Sequence, residues 1–214
     1  TDGAYVHHPH EDLFAILALE SQRNACLVVG EDLGTVPDEV RALMSRFGLF
    51  STRLMMFEKH WDGTFKPPQD YPAAAVASFG SHDTPTFNGY WNGRDLEWRH
   101  GADESALEPA LRQRALEKQR LLEALSAHGC HPPADAESSG AELAASVHAY
   151  LAQTPAALIM VAAEDLLDMH EAPNIPGTVD EHPNWRRRLP LDLEDWDWSA
   201  RAREIIDALR SGGR

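Results

Sequence analysis

"CLVVGEDLG", residues 26–34, sets an apolar run directly against two carboxylates and a glycine. A short run such as Leu27, Val28 and Val29, closed by a turn signal, reads as a strand buried on both faces, the kind that parallel sheets use. Glu31 then stands at the carboxyl end of that strand. In barrels and open α/β sheets catalytic side chains collect at this end, because the strand fixes the backbone while the loop beyond it leaves room for a ligand. The fold class turns on whether the rest of the chain supplies companions for this strand.

It does, in alternation with helices, which is the signature of βαβ units. "EDLFAILALESQ" (11–22) spaces Leu13, Phe14, Leu17 and Ala18 as one face of a helix leading into the first strand. "TVPDEVRALMSRFG" (35–48) is the next helix, with Thr35 as its cap, Pro37 and Asp38 in its first turn and Gly48 at its end. "STRLMMFE" (51–58) is a second strand ending in Glu58, and "AAAVASFGSHDTPT" (73–86) a third, with His82 and Asp83 at its end. From about Asp95 to His128 a long helical stretch puts Leu107, Leu111, Ala115, Leu122 and Leu125 on one stripe. "HPPADAESSG" (131–140) breaks it, the helix "AELAASVHAYLAQ" (141–153) follows, and "ALIMVAAEDLLDM" (157–169) is a fourth strand. Its V-A-A-E-D-L echoes the V-V-G-E-D-L of residues 28–33, so both strand ends hand carboxylates to a loop.

Bulk properties limit what those carboxylates serve. The 214 residues are 43% hydrophobic and 25% charged, an ordinary globular composition with one domain as the default. Nineteen Lys and Arg against 34 Asp and Glu give a net charge of −15, which would repel a phosphate backbone or an anionic lipid surface, so neither nucleic acid nor membrane is an expected partner. Two cysteines, Cys26 in the first strand and Cys130 beside a loop, suggest neither a disulfide framework nor a four-ligand zinc site, and a reducing cytoplasm fits best. No run has the length of a membrane span, and the opening "TDGAYVHHPH" has neither the basic nor the apolar region of a signal peptide.

Each candidate site has a plain structural alternative. An E-D-L after a strand serves equally as a helix start with favourable charge–dipole contacts. "SHDTPT" (81–86) serves as a turn in which Asp83 satisfies backbone N–H groups and Pro85 starts the next helix. Their combination raises both, because Glu31, Asp83 and Glu164 converge on one mouth if the strands are parallel. Paired carboxylates at a shared cleft are what glycosidic bond cleavage requires, one to donate a proton and others to stabilise positive charge at the sugar ring. "HHPHED" (7–12) offers nitrogen and oxygen ligands, but Pro9 interrupts it and His10 with Asp12 fit the polar start of a helix, so no metal site is assigned. "NIPGTVDEHPNWRRRLP" (174–190) is rich in amide, aromatic and guanidinium groups that hydrogen-bond and stack on polyols, although Trp185 could be a core residue and the arginines a solvated face.

"VVGEDLGTVP", "ASFGSHDTPT", "EDLLDM" and "APNIPGT" followed by "HPNWRRRLP" closely resemble the 4-α-glucanotransferases called amylomaltase or disproportionating enzyme, a branch of the α-amylase superfamily. The resemblance runs from "GAYVHHP" almost to the carboxyl end. It implies an α/β fold, the carboxyl-terminal part of a (β/α)8 TIM barrel, with about four parallel strands across residues 1–214 and a helical insertion at about 95–153. It implies a retaining transfer of α-1,4-glucan segments between maltooligosaccharides, without cofactor. Glu31 matches the general acid/base, with a pKa expected to be raised by desolvation and neighbouring carboxylates. Asp83 matches the carboxylate that holds the sugar and stabilises the transition state. His82 matches a neighbouring sugar contact, and Asp32, Asn174, Gly177 and Asn184 are further candidate substrate contacts.

Two departures from the family pattern carry expectations of their own. The family nucleophile is an Asp in an R-I-D-H-like motif on an earlier strand, and no such stretch occurs here, so residue 1 is expected to fall downstream of it, with the missing amino-terminal part as a partner. "HHP" also stands where many relatives have His-Tyr-Pro, which leaves an aromatic contact near His8 unassigned. Two readings from other classes stay open beside the transglycosidase: a metal-dependent hydrolase with ligands drawn from His7, His8 or His82, and a carbohydrate-binding or interaction module without chemistry of its own.

Overall fold

The structure, a computed structural model, describes residues 4, 6, 8–101, 103–132 and 140–214. Strands β1 (Val29–Gly30), β2 (Phe50–Leu54), β3 (Ala75–Ser78) and β4 (Leu158–Ile159) form one sheet in the order β1-β2-β3-β4, each neighbouring pair parallel. The register runs Val29 opposite Phe50, Ser51 opposite Ala75 and Val76 opposite Leu158. Helices α1 (His10–Arg23) and α2 (Asp38–Arg46) flank β1. Helices α3 (Phe87–Asn92), α4 (Arg94–His100), α5 (Glu104–Ala127) and α6 (Gly140–Ala152) lie between β3 and β4, and α7 (Ala163–Leu166) and α8 (Ala200–Ser211) follow β4. Parallel strands laid down in sequence order, with helices on one side, are the expected section of a (β/α)8 barrel.

Alternation along the strands divides the sheet into two faces. On the covered face Ala75, Ala77 and Phe79 are buried with Leu121 and Leu125 of α5, Leu143, Val147, Tyr150 and Leu151 of α6 and Ile205 of α8. Small residues on the strands let these helices approach closely. At Gly30 a Cβ would stand 2.6 Å from the Met44 Cε of α2, so that methyl packs directly over the strand end. The opposite face carries Val29, Leu54, Val76, Leu158 and Met160 along a cavity of about 440 Å³.

That second face corrects the expectation of a strand buried on both sides. Leu27 is 65% and Val29 43% exposed, and Cys26 is exposed as well. Among the described residues no strand pairs with β1 on its far side, and Val29 is left partly open along the cavity. Helix α1 forms as its spacing predicts, yet Leu13, Ile16, Leu17 and Leu19 on it stay exposed. Thr35 is not the cap of α2: that helix starts at Asp38, with Pro37 in the cap position and no capping side chain. Pro85 does not begin α3 either, since Thr86 caps it by accepting from Gly89 N.

The stretch 95–128 is two helices rather than one, and its buried stripe differs from the apolar one. On α5 the buried residues are Arg114, Leu121 and Leu125, whereas Leu111 is 42% exposed. Arg114 donates to both Asp95 oxygens at 2.9 and 2.8 Å and to the Tyr90 carbonyl, and its guanidinium lies 4.0 Å from the Tyr90 ring centroid. A charge so fully paired can enter the interior, which a pattern of apolar residues does not reveal. β2 stops at Leu54, so Glu58 lies beyond the strand, where it accepts from Lys66 Nζ at 2.7 Å and faces Arg53 at 3.9 Å. Of "HPPADAESSG", residues 133–139 lie outside the described residues.

The core between α6 and α8 also holds a histidine. His148 is fully buried; its Nδ1 bonds the Ala144 carbonyl at 2.8 Å, and among the described residues its Nε2 has no hydrogen-bond partner. Burial, reinforced by the Arg201 charge, pushes its pKa down to about 4. A histidine with a lowered folded-state pKa contributes stability that is complete above the ordinary value of about 6.5 and is lost as pH falls through about 4. The cost of acidification across that window is about 3 kcal/mol. Urea unfolding midpoints of the enzyme carrying this chain, taken from pH 7 to 4, should fall more steeply than those of a His148→Phe variant. Parallel curves would show that His148 does not titrate in this way.

Candidate functional site

The four parallel strands point their carboxyl ends at one rim, and the predicted side chains gather there. At the end of β1 the neighbours Glu31 and Asp32 take opposite roles. Glu31 is exposed and lines the 440 Å³ cavity together with Ser81 and His82 from the end of β3. Asp32 turns inward and is 3% exposed; Oδ1 accepts from Thr52 N at 2.9 Å, and Oδ2 faces Arg41 Nε at 3.3 Å and Arg53 at 3.2 Å. This ties β1 to β2 and α2. Asp32 is thus engaged by the scaffold, and Glu31 is left at the opening.

Asp83 stands in a turn closed by one hydroxyl. Thr84 Oγ1 accepts from Ser81 N at 2.8 Å and donates to the Ser81 carbonyl at 2.9 Å, while Ser78 Oγ donates to the Gly80 carbonyl at 2.8 Å. A Cβ at Gly80 would meet that threonine oxygen at 2.3 Å, so the turn requires glycine. The Asp83 carboxylate is half-exposed; Oδ1 accepts from Asn174 Nδ2 at 2.6 Å and Oδ2 lies 3.5 Å from His82 Nε2. Asn174 therefore acts on Asp83, whatever else it touches. The His82 ring also faces exposed Trp185, with centroids 5.5 Å apart.

Asn184 and Gly177 belong to the loop that delivers Asn174. Asn184 Oδ1 accepts from Ile175 N at 3.0 Å, and its Nδ2 donates to the Thr178 carbonyl at 3.1 Å and hydroxyl at 2.9 Å. Gly177 takes the left-handed conformation, φ 87°, that the turn needs. Glu171 anchors the start of this segment by accepting from Arg94 Nε and Trp98 Nε1, both at 2.7 Å. Burial pushes the Glu171 carboxyl up, but the bonds from Trp98 and Arg94 outweigh it and hold the group below its ordinary value.

After β4 the echoed E-D-L repeats the arrangement of β1. Glu164 faces a cavity of about 320 Å³ lined also by His82, Trp185 and Arg187, whereas Asp165 is buried and accepts from Phe87 N at 2.7 Å. Burial pushes Asp165 up to about 6, against the pull of the Phe87 N–H and the Arg201 charge. The parts played by Asp165, Arg187 and Arg201 were not read from the sequence, although the echo between residues 28–33 and 161–166 was the signal available for the first. Among the described residues no group of three or more His, Cys, Asp or Glu is placed to hold a metal ion; His7 lies outside them. Nor, among those residues, is any helix long and apolar enough to cross a membrane.

With this geometry in hand, comparison with known proteins is specific. The family described as 4-alpha-glucanotransferase matches residues 1–193. The chain is 42% identical over 200 residues to a 4-alpha-glucanotransferase of Haemophilus influenzae, covering 90% of this chain and 28% of that protein. It is 34% identical to one of Mycobacterium tuberculosis, over 99% of this chain and 31% of the relative. Its fold superposes on the crystal structure of amylomaltase from Corynebacterium glutamicum with a TM-score of 0.87 at 26% identity, covering 96% of this chain and 32% of that one. An amylomaltase from Streptococcus agalactiae in complex with acarbose shares the fold at a TM-score of 0.68 and 21% identity, with 100% of this chain and 37% of that one covered. The chain thus spans about three tenths of the length of the curated relatives it matches.

Proposed function

The chain belongs to the 4-alpha-glucanotransferase family, and from that premise we propose that the enzyme carrying it moves α-1,4-glucan segments between maltooligosaccharides with retention of configuration. The observation that carries this reading is the convergence of Glu31 with the His82–Asp83 turn on one rim, Glu31 and His82 lining a single cavity. Glu31, exposed at that opening, is the general acid/base: it protonates the departing glycosidic oxygen, then takes the proton from the acceptor hydroxyl. Asp83 stabilises positive charge on the sugar ring, with Asn174 and His82 fixing its orientation. Trp185 beside His82 offers a face for a glucose ring. No cofactor enters this scheme. The two free thiols support a cytoplasmic setting, and the net charge of −15 argues against nucleic acid or anionic membranes as partners.

A retaining transfer also needs a nucleophile about 5–5.5 Å from the acid/base. Glu58 is engaged by Lys66 and Arg53, and Glu164 stands at the end of β4, so neither replaces it. The nucleophile comes instead from the amino-terminal part of the enzyme, which packs against the open face of the sheet and the exposed apolar residues of α1. Alone, these 214 residues should self-associate and leave maltotriose untouched; together with the amino-terminal part they should yield glucose and longer maltooligosaccharides. Transfer by a rigorously purified monomer of this chain would overturn the assignment.

A further inference from the structure

Asp83 owes its position to more than its own turn, because the chain leaves that turn directly into α3, whose first residue is Phe87. The Phe87 N–H is bonded by buried Asp165, so a side chain from the end of β4 fixes the start of α3. Arg201, 4% exposed on α8, then binds this junction from behind. Its Nε donates to the Asp165 carbonyl at 2.5 Å, and its two terminal nitrogens reach the Asp168 carboxylate and Asn88 Oδ1, the latter at 3.3 Å. Asn88, on α3, donates in turn to Asp168. Asp168 is held at φ 60°, a left-handed conformation that L side chains rarely adopt and that survives only where neighbours over-determine it. Arg201 lies past residue 193, where the family match ends.

We propose that Asp165 and Arg201 are positioning residues for the transfer reaction: they lock α3, the end of β4 and α8 into one unit that holds Asp83 at the height the sugar requires. This rests on the reading of Asp83 as the charge-stabilising carboxylate. A rigid anchor is needed there because a displacement of about 1 Å at a reacting group can cost about 10²-fold in rate.

The test is made in the full-length enzyme with maltotriose as substrate, rates being expressed per folded molecule from unfolding curves. Asp165→Leu and Arg201→Met should each lower kcat by about 10- to 100-fold with little change in KM. Asp165→Asn, which keeps an oxygen for the Phe87 N–H, should recover most of that loss. Because Asp165 acts through Asp83, Asp165→Leu added to Asp83→Asn should cost little more than Asp83→Asn alone. Multiplying losses, or parental kcat in folded Asp165→Leu and Arg201→Met, would overturn the positioning role while leaving Asp83 in place. Parental kcat in Asp83→Asn would instead overturn the reading of Asp83, and the positioning role with it. If Asp165→Leu fails to fold, Arg201→Met decides by the same split between kcat and KM.

Discussion

Glu31→Gln, introduced into the full-length enzyme, should leave folding and glucan binding intact and lower maltotriose turnover by about 10²–10⁴-fold, the usual worth of general acid–base help. The separation of effects follows from the environment of Glu31. It is exposed at the cavity mouth, while the bonds that fix β1 run through Asp32 to Thr52, Arg41 and Arg53. The amide matches the carboxyl in shape but neither releases nor takes the proton, so both halves of the transfer slow together. Substrates whose leaving group needs no proton should regain much of the first half-reaction in this variant. A variant that disproportionates maltotriose at the parental rate would remove Glu31 from the role.

Asp83→Asn should be nearly as damaging for a different reason. The substitution retains an oxygen for the Asn174 amide at the place where Asp83 Oδ1 now accepts it at 2.6 Å, so the turn and its hydrogen bonds persist and only the charge is lost. Charge at this position matters most when the sugar ring turns cationic. The loss should therefore fall on kcat, by about 10²–10³-fold as for other preorganised electrostatic groups, with a smaller change in KM. An unchanged kcat with a raised KM would make Asp83 a substrate contact and no more.

Much of this was legible in the sequence, for identifiable reasons. Parallel strands announce themselves as short apolar runs ending in turn residues, so β1 to β4 were located by Val28–Val29, Leu54, Val76 and Leu158, though each proved shorter than its run. The placement of Glu31 and His82–Asp83 at strand ends was legible too, since such runs stop at turn residues. Burial was not. Leu27 and Val29 look like core residues because a strand does not record whether anything covers its second face, and Arg114 looks like surface because its Asp95 partner is distant in sequence. The division of labour within Glu31–Asp32 was equally hidden, as it depends on Arg41, Thr52 and Arg53 arriving from α2 and β2. The bond from the Asn174 amide to Asp83, 91 positions earlier in the chain, was hidden as well.

The inward turn of Asp32 and the outward turn of Glu31 mean that adjacent letters of the same motif fail in different currencies. A lesion at Asp32 takes the carboxylate from Arg41 and Arg53 and orphans the Thr52 N–H, so its cost is borne by every molecule at the moment of folding and appears as a shortage of protein. With Glu31 as the proposed acid/base, a lesion there is silent until substrate arrives and appears as a full complement of idle enzyme. Selection for abundance and selection for turnover can consequently act on neighbouring residues almost independently, and the rim carboxylate is free to be exchanged for another chemistry while the aspartate behind it keeps the barrel's edge in register.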